Sequence, residues 1–281
     1  MKMLFSTALL SVGWLIASGQ PSATQQSASE LQVGLIRETV KTRDLQTSPM
    51  LYMGNLNGLR VGFTQRWNRH QLRVNLRAAT GSYVAPGLGV RSFSFADEAT
   101  EGGTPAQPLV LIPTLYRGGV DVEYLLRFRE TPNHRQTWWG IGFHEQAGYA
   151  DGVAMTTWAM NTASASLLHH TRWPFGRRHL VALNVSLPLV AAVTRLPYSN
   201  VVSSPDESNA KAFMQGTQWE TLPRFINPQV GLSYRFRVSP RWSAQAAYRY
   251  SYLRYPDPEL IRTAAHTATL SLVYHFNFIQ P

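Results

Sequence analysis

The segment that most constrains the fold is Ala264–Phe278, in which apolar and polar residues alternate along the chain. Its even positions are mainly apolar and end in Tyr274, Phe276 and Phe278, whereas its odd positions carry mainly Thr, Ser, His and Asn. A period of two is typical of a β-strand that turns one apolar face away from water. That face covers either the core of a soluble sheet or the lipid around a barrel.

The N-terminus predicts export from the cytoplasm. Lys2 precedes an apolar run from Leu4 to Ile16, and small residues follow at positions 17–19. This order is that of a secretory signal peptide, and the run is shorter than the roughly 20 residues of a membrane-spanning helix. We therefore expect a signal peptide at residues 1–19, a polar linker at 20–29 and one β domain at 30–281. No cysteine follows the run, which excludes a lipoprotein anchor.

Alternation recurs through the rest of the chain. Clear strand candidates are His179–Arg195, Tyr116–Glu130, Gln71–Tyr83, Gly58–Asn68, Pro228–Val238 and Trp242–Tyr255, and weaker ones are Leu31–Thr42, Thr137–Ala150 and Trp158–Trp173. With the terminal segment they make about ten, and bacterial single-chain barrels have even strand numbers. Pro188 lies inside one candidate and lacks a backbone donor, so a bulge or bend is expected there.

The connections between these candidates alternate in length. Short ones lie at 69–70, 131–136, 175–178 and 239–241, and long ones at 43–57, 84–113, 199–223 and 256–262, with a short exception at 151–153. Short periplasmic turns and long outer loops produce this alternation in transmembrane barrels. Aromatic residues near both kinds of connection predict two interfacial girdles. They are Trp67, Trp138, Trp139, Trp173, Phe175, Trp242 and Phe276 on one side, and Tyr83, Tyr149, Tyr198, Tyr252 and Tyr255 on the other.

The end of the chain, Phe276-Asn277-Phe278, resembles the C-terminal strand of bacterial outer-membrane β-barrel proteins. The resemblance implies an all-β fold, an antiparallel transmembrane β-barrel of about ten strands in the bacterial outer membrane, with both termini in the periplasm. It also implies that Tyr274, Phe276 and Phe278 form a signal for the barrel-assembly machinery. Expected partners are that machinery, outer-membrane lipid including lipopolysaccharide phosphates, and proteins that contact the outer loops.

The charge of the chain is +10, and its basic residues alternate with apolar ones instead of forming runs. Such a pattern puts them on one face of the sheet and argues against nucleic-acid binding. An Arg that faced lipid at the midplane would cost roughly 2–4 kcal/mol, so the charged face is expected to line the lumen. The expected lumen residues are Arg60, Arg66, Arg73, Arg77, Arg117, Asp121, Glu123, Arg127, Arg235, Arg237 and Arg249.

Three functions remain open at this stage. Arg side chains paired with Asp121 and Glu123 are able to fill so narrow a bore, which favours a non-enzymatic structural or interaction protein that acts through its outer loops. The alternatives are a small anion-preferring pore and a barrel-borne lipid or peptide hydrolase.

The hydrolase alternative has few candidate residues. Those with suitable chemistry are His144 beside Asp151, and Ser164 or Ser166 with His170. Four residues separate Ser166 from His170, about 13 Å along a strand, so these two cannot pair unaided. The chain has no cysteine, and His169 and His170 point to opposite faces of a strand, so neither a metal nor another cofactor is expected.

Overall fold

The computed structural model describes residues 27–86, 91–93, 109–111, 113–132, 135–153, 156–196 and 213–277. The predicted signal peptide and Phe278 lie outside these ranges. The described strands are β1 (Ser27–Asp44), β2 (Ser48–Trp67), β3 (His70–Val84), β4 (Arg91–Phe93), β5 (Leu109–Leu111), β6 (Thr114–Glu130), β7 (Gln136–Val153), β8 (Thr156–Phe175), β9 (His179–Arg195), β10 (Gln218–Thr221), β11 (Gln229–Arg237), β12 (Trp242–Tyr255) and β13 (Ile261–Asn277).

The chain forms a closed antiparallel barrel. The order around the wall is β9-β11-β12-β13-β1-β2-β3-β6-β7-β8, and β8 pairs with β9 to complete the circle, while β4 and β5 pair only with each other. The last strand closes on the first, since β1 and β13 pair from Ala28–Asn277 to Asp44–Ile261. Closure leaves no free edge in the barrel wall that the structure describes, which is the condition for crossing a bilayer with strands.

One strand position in the barrel wall is shared by two separate strands, β10 and β11. The same edge of β9 pairs with β11 over Gln229–Phe236 and with β10 over Gln218–Thr221. Residues 222–228 separate these two strands and contain Pro223 and Pro228. Because proline cannot donate a ladder hydrogen bond, the strand leaves the wall there and resumes on the other side of the break. Phe225, within the break, is buried.

The predicted long connection at 43–57 is wrong. β1 and β2 run almost to one another, and only the turn at residues 45–47 separates them. Their outer faces carry polar residues at this height, among them Asn55 and Asn57, so the expected apolar alternation fades although the strand continues. The inner face remains apolar, with Tyr52 and Leu56 buried.

The bulge predicted at Pro188 is confirmed. Ser166 pairs with Pro188 and Ala165 with Val190, which leaves Leu189 as an extra residue on β9. An inserted residue reverses the alternation beyond it. Ala191 and Val193 therefore face inward and are buried, whereas unbroken alternation would put them on the same face as Leu183.

The outer wall is apolar over its lower part and polar above. Leu35, Leu59, Leu76, Ile141 and Leu270 are all exposed on this lower belt. Further along the same strands the outward positions become polar, for example Arg37 on β1, which donates to Asn57 of β2 at 2.8 Å. The barrel therefore rises above its apolar belt on the side away from the termini. No helix in the described part of the chain is both long and apolar enough to span a bilayer.

Candidate functional site

The lumen near the termini is crossed by an ion-pair layer centred on Glu30. Its carboxylate lies 2.8 Å from Arg66 and 2.9 Å from Arg235, and His275 approaches it to 3.4 Å. These residues come from β1, β2, β11 and β13, so the ion pairs connect different strands of the wall across the lumen. Arg235 also donates to Gln245 at 2.8 Å, which fixes its fork in the plane of the layer.

A second layer, nearer the middle of the barrel, is centred on Asp121. Its carboxylate lies 3.0 Å from His144, 3.4 Å from Arg249 and 3.9 Å from Arg77. Asp121 is almost fully buried, so its charge depends on these partners instead of on water. A neighbouring pair in the same region joins Arg73 to Glu123 at 3.0 Å.

The central layer contains a Ser–His–Asp series. The Nδ1 atom of His144 lies 3.0 Å from the Oδ1 atom of Asp121, and its Nε2 atom lies 3.2 Å from the hydroxyl of Ser186. With Nδ1–H donating to the carboxylate, Nε2 is free to accept from the hydroxyl. The expected partner of His144, Asp151, instead contacts Gly152 and Thr157 near the β7–β8 turn.

Above these layers apolar residues make up much of the interior, beside buried polar groups such as Thr42, Asp44 and Arg195. Arg117 pairs with Glu38, and beyond this pair two apolar clusters pack inside the lumen, which we call the apolar seal. A cavity of about 30 Å³ lies beside them and is lined by Leu115, Trp158 and Leu253 of the seal. The seal consists of Val40, Tyr52, Leu56, Ala79, Tyr83, Leu115, Ala150, Val153, Ala265, Met160, Ala191, Val193, Phe225, Leu253, Tyr255 and Ile261, and Trp158 packs against both clusters. The seal lies in the part of the barrel that rises above the apolar belt.

Two tyrosines of the seal stay uncharged at neutral pH. Burial raises the pKa of Tyr83, and burial together with Asp257 raises the pKa of Tyr255 to about 12. Trp158 donates to Asp44 at 2.8 Å, and Asp44 also pairs with Arg195 at 2.6 Å. The polar atoms of the seal's large aromatic residues thus have partners or stay neutral, and no bare charge interrupts the packing.

Three cavities lie below the seal, stacked along the lumen. The mouth cavity, of about 360 Å³, opens beside Arg66, Arg235 and His275. A neck cavity of about 30 Å³ shares Arg66 and Arg235 with the mouth. The central cavity, of about 80 Å³, shares Arg73, His170 and Asn184 with the neck and is also lined by Arg60 and Ser186.

The structure brings nine of the expected charged residues into the lumen and leaves two at its rim. Arg60, Arg66, Arg73, Arg77, Arg117, Asp121, Glu123, Arg235 and Arg249 take part in the contacts described here or line the central cavity. Arg127 instead pairs with Glu130 at 2.7 Å beside the β6–β7 turn, and Arg237 donates to the backbone of its own turn.

Sequence reasoning missed several residues of the lumen. Glu30, Glu38, Arg172 and Ser186 all face inward and are buried. Glu30 and Glu38 both lie at even positions of β1, and alternation along this strand predicts that they share one face. Three expected girdle residues, Trp138, Tyr83 and Tyr255, are wrong, because they are buried in the interior, whereas Trp139 and Tyr149 are exposed on the outside.

The candidate assembly residues lie at the terminal rim. Tyr274 packs edge-on against Trp242 at 4.9 Å and against Phe276 at 4.8 Å. The described residues contain no group of three His, Asp or Glu side chains that could hold a metal ion.

A closed barrel with an apolar outer belt and a charged, ion-paired interior defines an outer-membrane β-barrel protein. No protein-family model and no curated protein matches the sequence. Among solved structures the chain is similar to the outer membrane protease OmpT from Escherichia coli, with a TM-score of 0.49, 9% identity, and coverage of 92% of this chain and 99% of that one. It is also similar to the translocator domain of the autotransporter NalP from Neisseria meningitidis, with a TM-score of 0.39, 10% identity, and coverage of 97% and 95%. A third is Ail, the attachment invasion locus protein of Yersinia pestis, with a TM-score of 0.36, 12% identity, and coverage of 89% and 99%.

Proposed function

We propose that this protein is a non-conducting, non-enzymatic barrel whose extracellular part acts as a structural or interaction surface. The observation that carries the proposal is the apolar seal, since packed apolar side chains exclude hydrated ions and the cavity among them holds only about 30 Å³. The ion-pair layers around Glu30 and Asp121 narrow the bore further on the other side of the seal.

The outer surface above the apolar belt supports a role outside the cell. Strands β1 and β2 continue past the belt and present Arg37, Lys41, Asn55 and Asn57 to solvent. A wall this tall and this polar exceeds what crossing the bilayer requires. The partners we propose are lipopolysaccharide phosphates, which Arg37 and Lys41 suit by charge, and proteins that contact the outer loops.

Planar-bilayer recording tests the non-conducting state. The purified barrel is expected to insert without a steady open conductance in chloride salts. The matched variant Tyr83→Ala with Trp158→Ala removes two large rings that pack together in the seal at 6.3 Å. We expect it to show more frequent current steps than the wild type, and a large steady conductance of the wild type would refute the proposal.

The Asp121–His144–Ser186 series favours a second function, hydrolysis by a serine nucleophile. The series is buried within the central layer, and the cavity beside it is only about 80 Å³, too small for a lipid or peptide segment. We therefore rank hydrolysis second. A fluorophosphonate probe distinguishes the two functions, because labelling that Ser186→Ala abolishes and Ser164→Ala retains would establish a reactive serine.

A further inference from the structure

The lumen below the seal contains more positive than negative charge. Eight inward Arg side chains face four inward carboxylates among the described residues. The cations are Arg60, Arg66, Arg73, Arg77, Arg117, Arg172, Arg235 and Arg249, and the anions are Glu30, Glu38, Asp121 and Glu123. Charges removed from bulk water need compensation, so this excess calls for anions that the chain itself does not supply.

Two of these arginines have no carboxylate partner. Within the described residues, Arg172 donates only to Gln71 and His170, at 2.9 and 3.3 Å. Arg60 donates to Asn75 at 2.7 Å, and its Nε atom is buried without a partner. Arg60 is only 9% exposed.

Arg60 lines the central cavity together with Arg73 and Arg77. Glu123 is the carboxylate on the lining, and it is already paired with Arg73. Asn184, Ser186 and His170 add uncharged polar groups to the wall. A volume of about 80 Å³ holds several water-sized atoms, because one such atom needs roughly 10–15 Å³.

The central cavity adjoins the neck cavity, with which it shares Arg73, His170 and Asn184. The neck adjoins the mouth cavity at the rim that carries the termini, and Arg66 and Arg235 line both of them. Arg177, Arg178 and Arg237 extend this positive lining to the mouth. On the other side the apolar seal blocks the bore. A cationic lining raises the local concentration of anions. The lower lumen is therefore a pocket that opens to the periplasm and is closed at the apolar seal.

We propose that the central cavity is a binding site for a small inorganic oxyanion, phosphate or sulfate, which enters from the periplasm and is held by Arg60, Arg73 and Arg77. Guanidinium groups suit this ligand because their planar forks donate paired hydrogen bonds to oxyanions. The site goes beyond the interaction role proposed above and is independent of the extracellular surface.

Isothermal titration of the refolded barrel with inorganic phosphate tests the site. Ionic strength is held constant with gluconate, which is too bulky for the cavity. We expect saturable binding of one phosphate per chain, comparable binding of sulfate, and no binding of glycerol 3-phosphate, a mimic of a lipid headgroup. Arg60→Gln should weaken phosphate binding by about tenfold or more, since it removes charged donors from a buried site.

Arg127→Gln is the matched control, because Arg127 lies at the turn and lines none of the three cavities. It should bind phosphate as the wild type does. Absence of saturable binding by the wild type would overturn the proposal, as would equal affinity in Arg60→Gln. If Arg60→Gln does not refold, Arg60→Lys keeps the charge but loses the fork and should bind more weakly than the wild type. Equal binding of chloride and phosphate would overturn the assignment to an oxyanion.

Discussion

Asp121 and His144 lie directly opposite one another on the neighbouring strands β6 and β7, with Oδ1 of the carboxylate 3.0 Å from Nδ1 of the ring. The pair is separated by 23 residues in the chain. The two strands are thus joined here through side chains as well as through the backbone ladder. Arg77 and Arg249 reach the same carboxylate from β3 and β12, so one Asp connects four strands.

Replacing this Asp should destabilise the barrel strongly. Asp121→Asn leaves Arg77 and Arg249 without their carboxylate partner, and breaking such a buried pair costs about 3–5 kcal/mol of unfolding free energy. Urea unfolding in lipid vesicles, followed by tryptophan fluorescence, measures the loss. Glu130→Gln is the control, because its pair with Arg127 is at an exposed turn and is worth about 1 kcal/mol or less. Equal losses in the two variants would contradict a special role for the central layer.

Two leucines of β2 test whether the upper interior is a packed core. Leu56 is 0% exposed within the seal, whereas Leu59 is 59% exposed on the outer wall. Leu56→Ala should cost about 2–5 kcal/mol of unfolding free energy because it leaves a cavity. Leu59→Ala leaves no internal cavity and should cost clearly less in the same urea titration. A larger loss for Leu59→Ala would show that the seal is loosely packed.

Strongly alkaline pH should weaken the seal. The folded-state pKa of Tyr83 is raised by burial and that of Tyr255 is about 12, above the ordinary value of about 10. A raised pKa means that the stabilisation is fully present below about pH 10 and is lost as the pH rises towards 12. The urea midpoint should therefore fall over this window. The double variant Tyr83→Phe with Tyr255→Phe should show a shallower fall, and an identical slope would exclude these two phenols as the cause.

The terminal aromatic residues should affect assembly more than stability. Phe276 packs at the rim beside Tyr274, and the resemblance to outer-membrane barrels implies that it is read during insertion. Phe276→Ala is expected to lower the amount of heat-modifiable folded protein in cell membranes while the variant still refolds in detergent. Phe128→Ala, which removes a ring that is 79% exposed on β6, should assemble normally. Normal assembly of Phe276→Ala would remove it from the signal.

Much of the architecture followed from local pattern. The alternation in β13 fixed which of its faces is apolar, and Leu270 and Leu272 do point outwards while Thr269 and Ser271 are buried. Above the apolar belt, the alternation no longer predicts which residues face outwards, because there the outer face is polar and the inner face is apolar. Because of this reversal, the alternation predicts a loop where the first half of β2 lies, and it predicts Tyr83 and Tyr255 on the outer surface.

The sequence by itself determined the class of fold, because a period of two, an even strand number and rows of Arg opposite apolar faces have one physical solution in a membrane. Only the tertiary structure decided what the lumen is. Contacts between side chains of different strands brought Asp121 to His144 and Ser186, left Arg60 without a carboxylate, and packed Tyr83 against Trp158. Those contacts depend on closure of the barrel, which brings the inward faces of different strands together and is not encoded in any one strand.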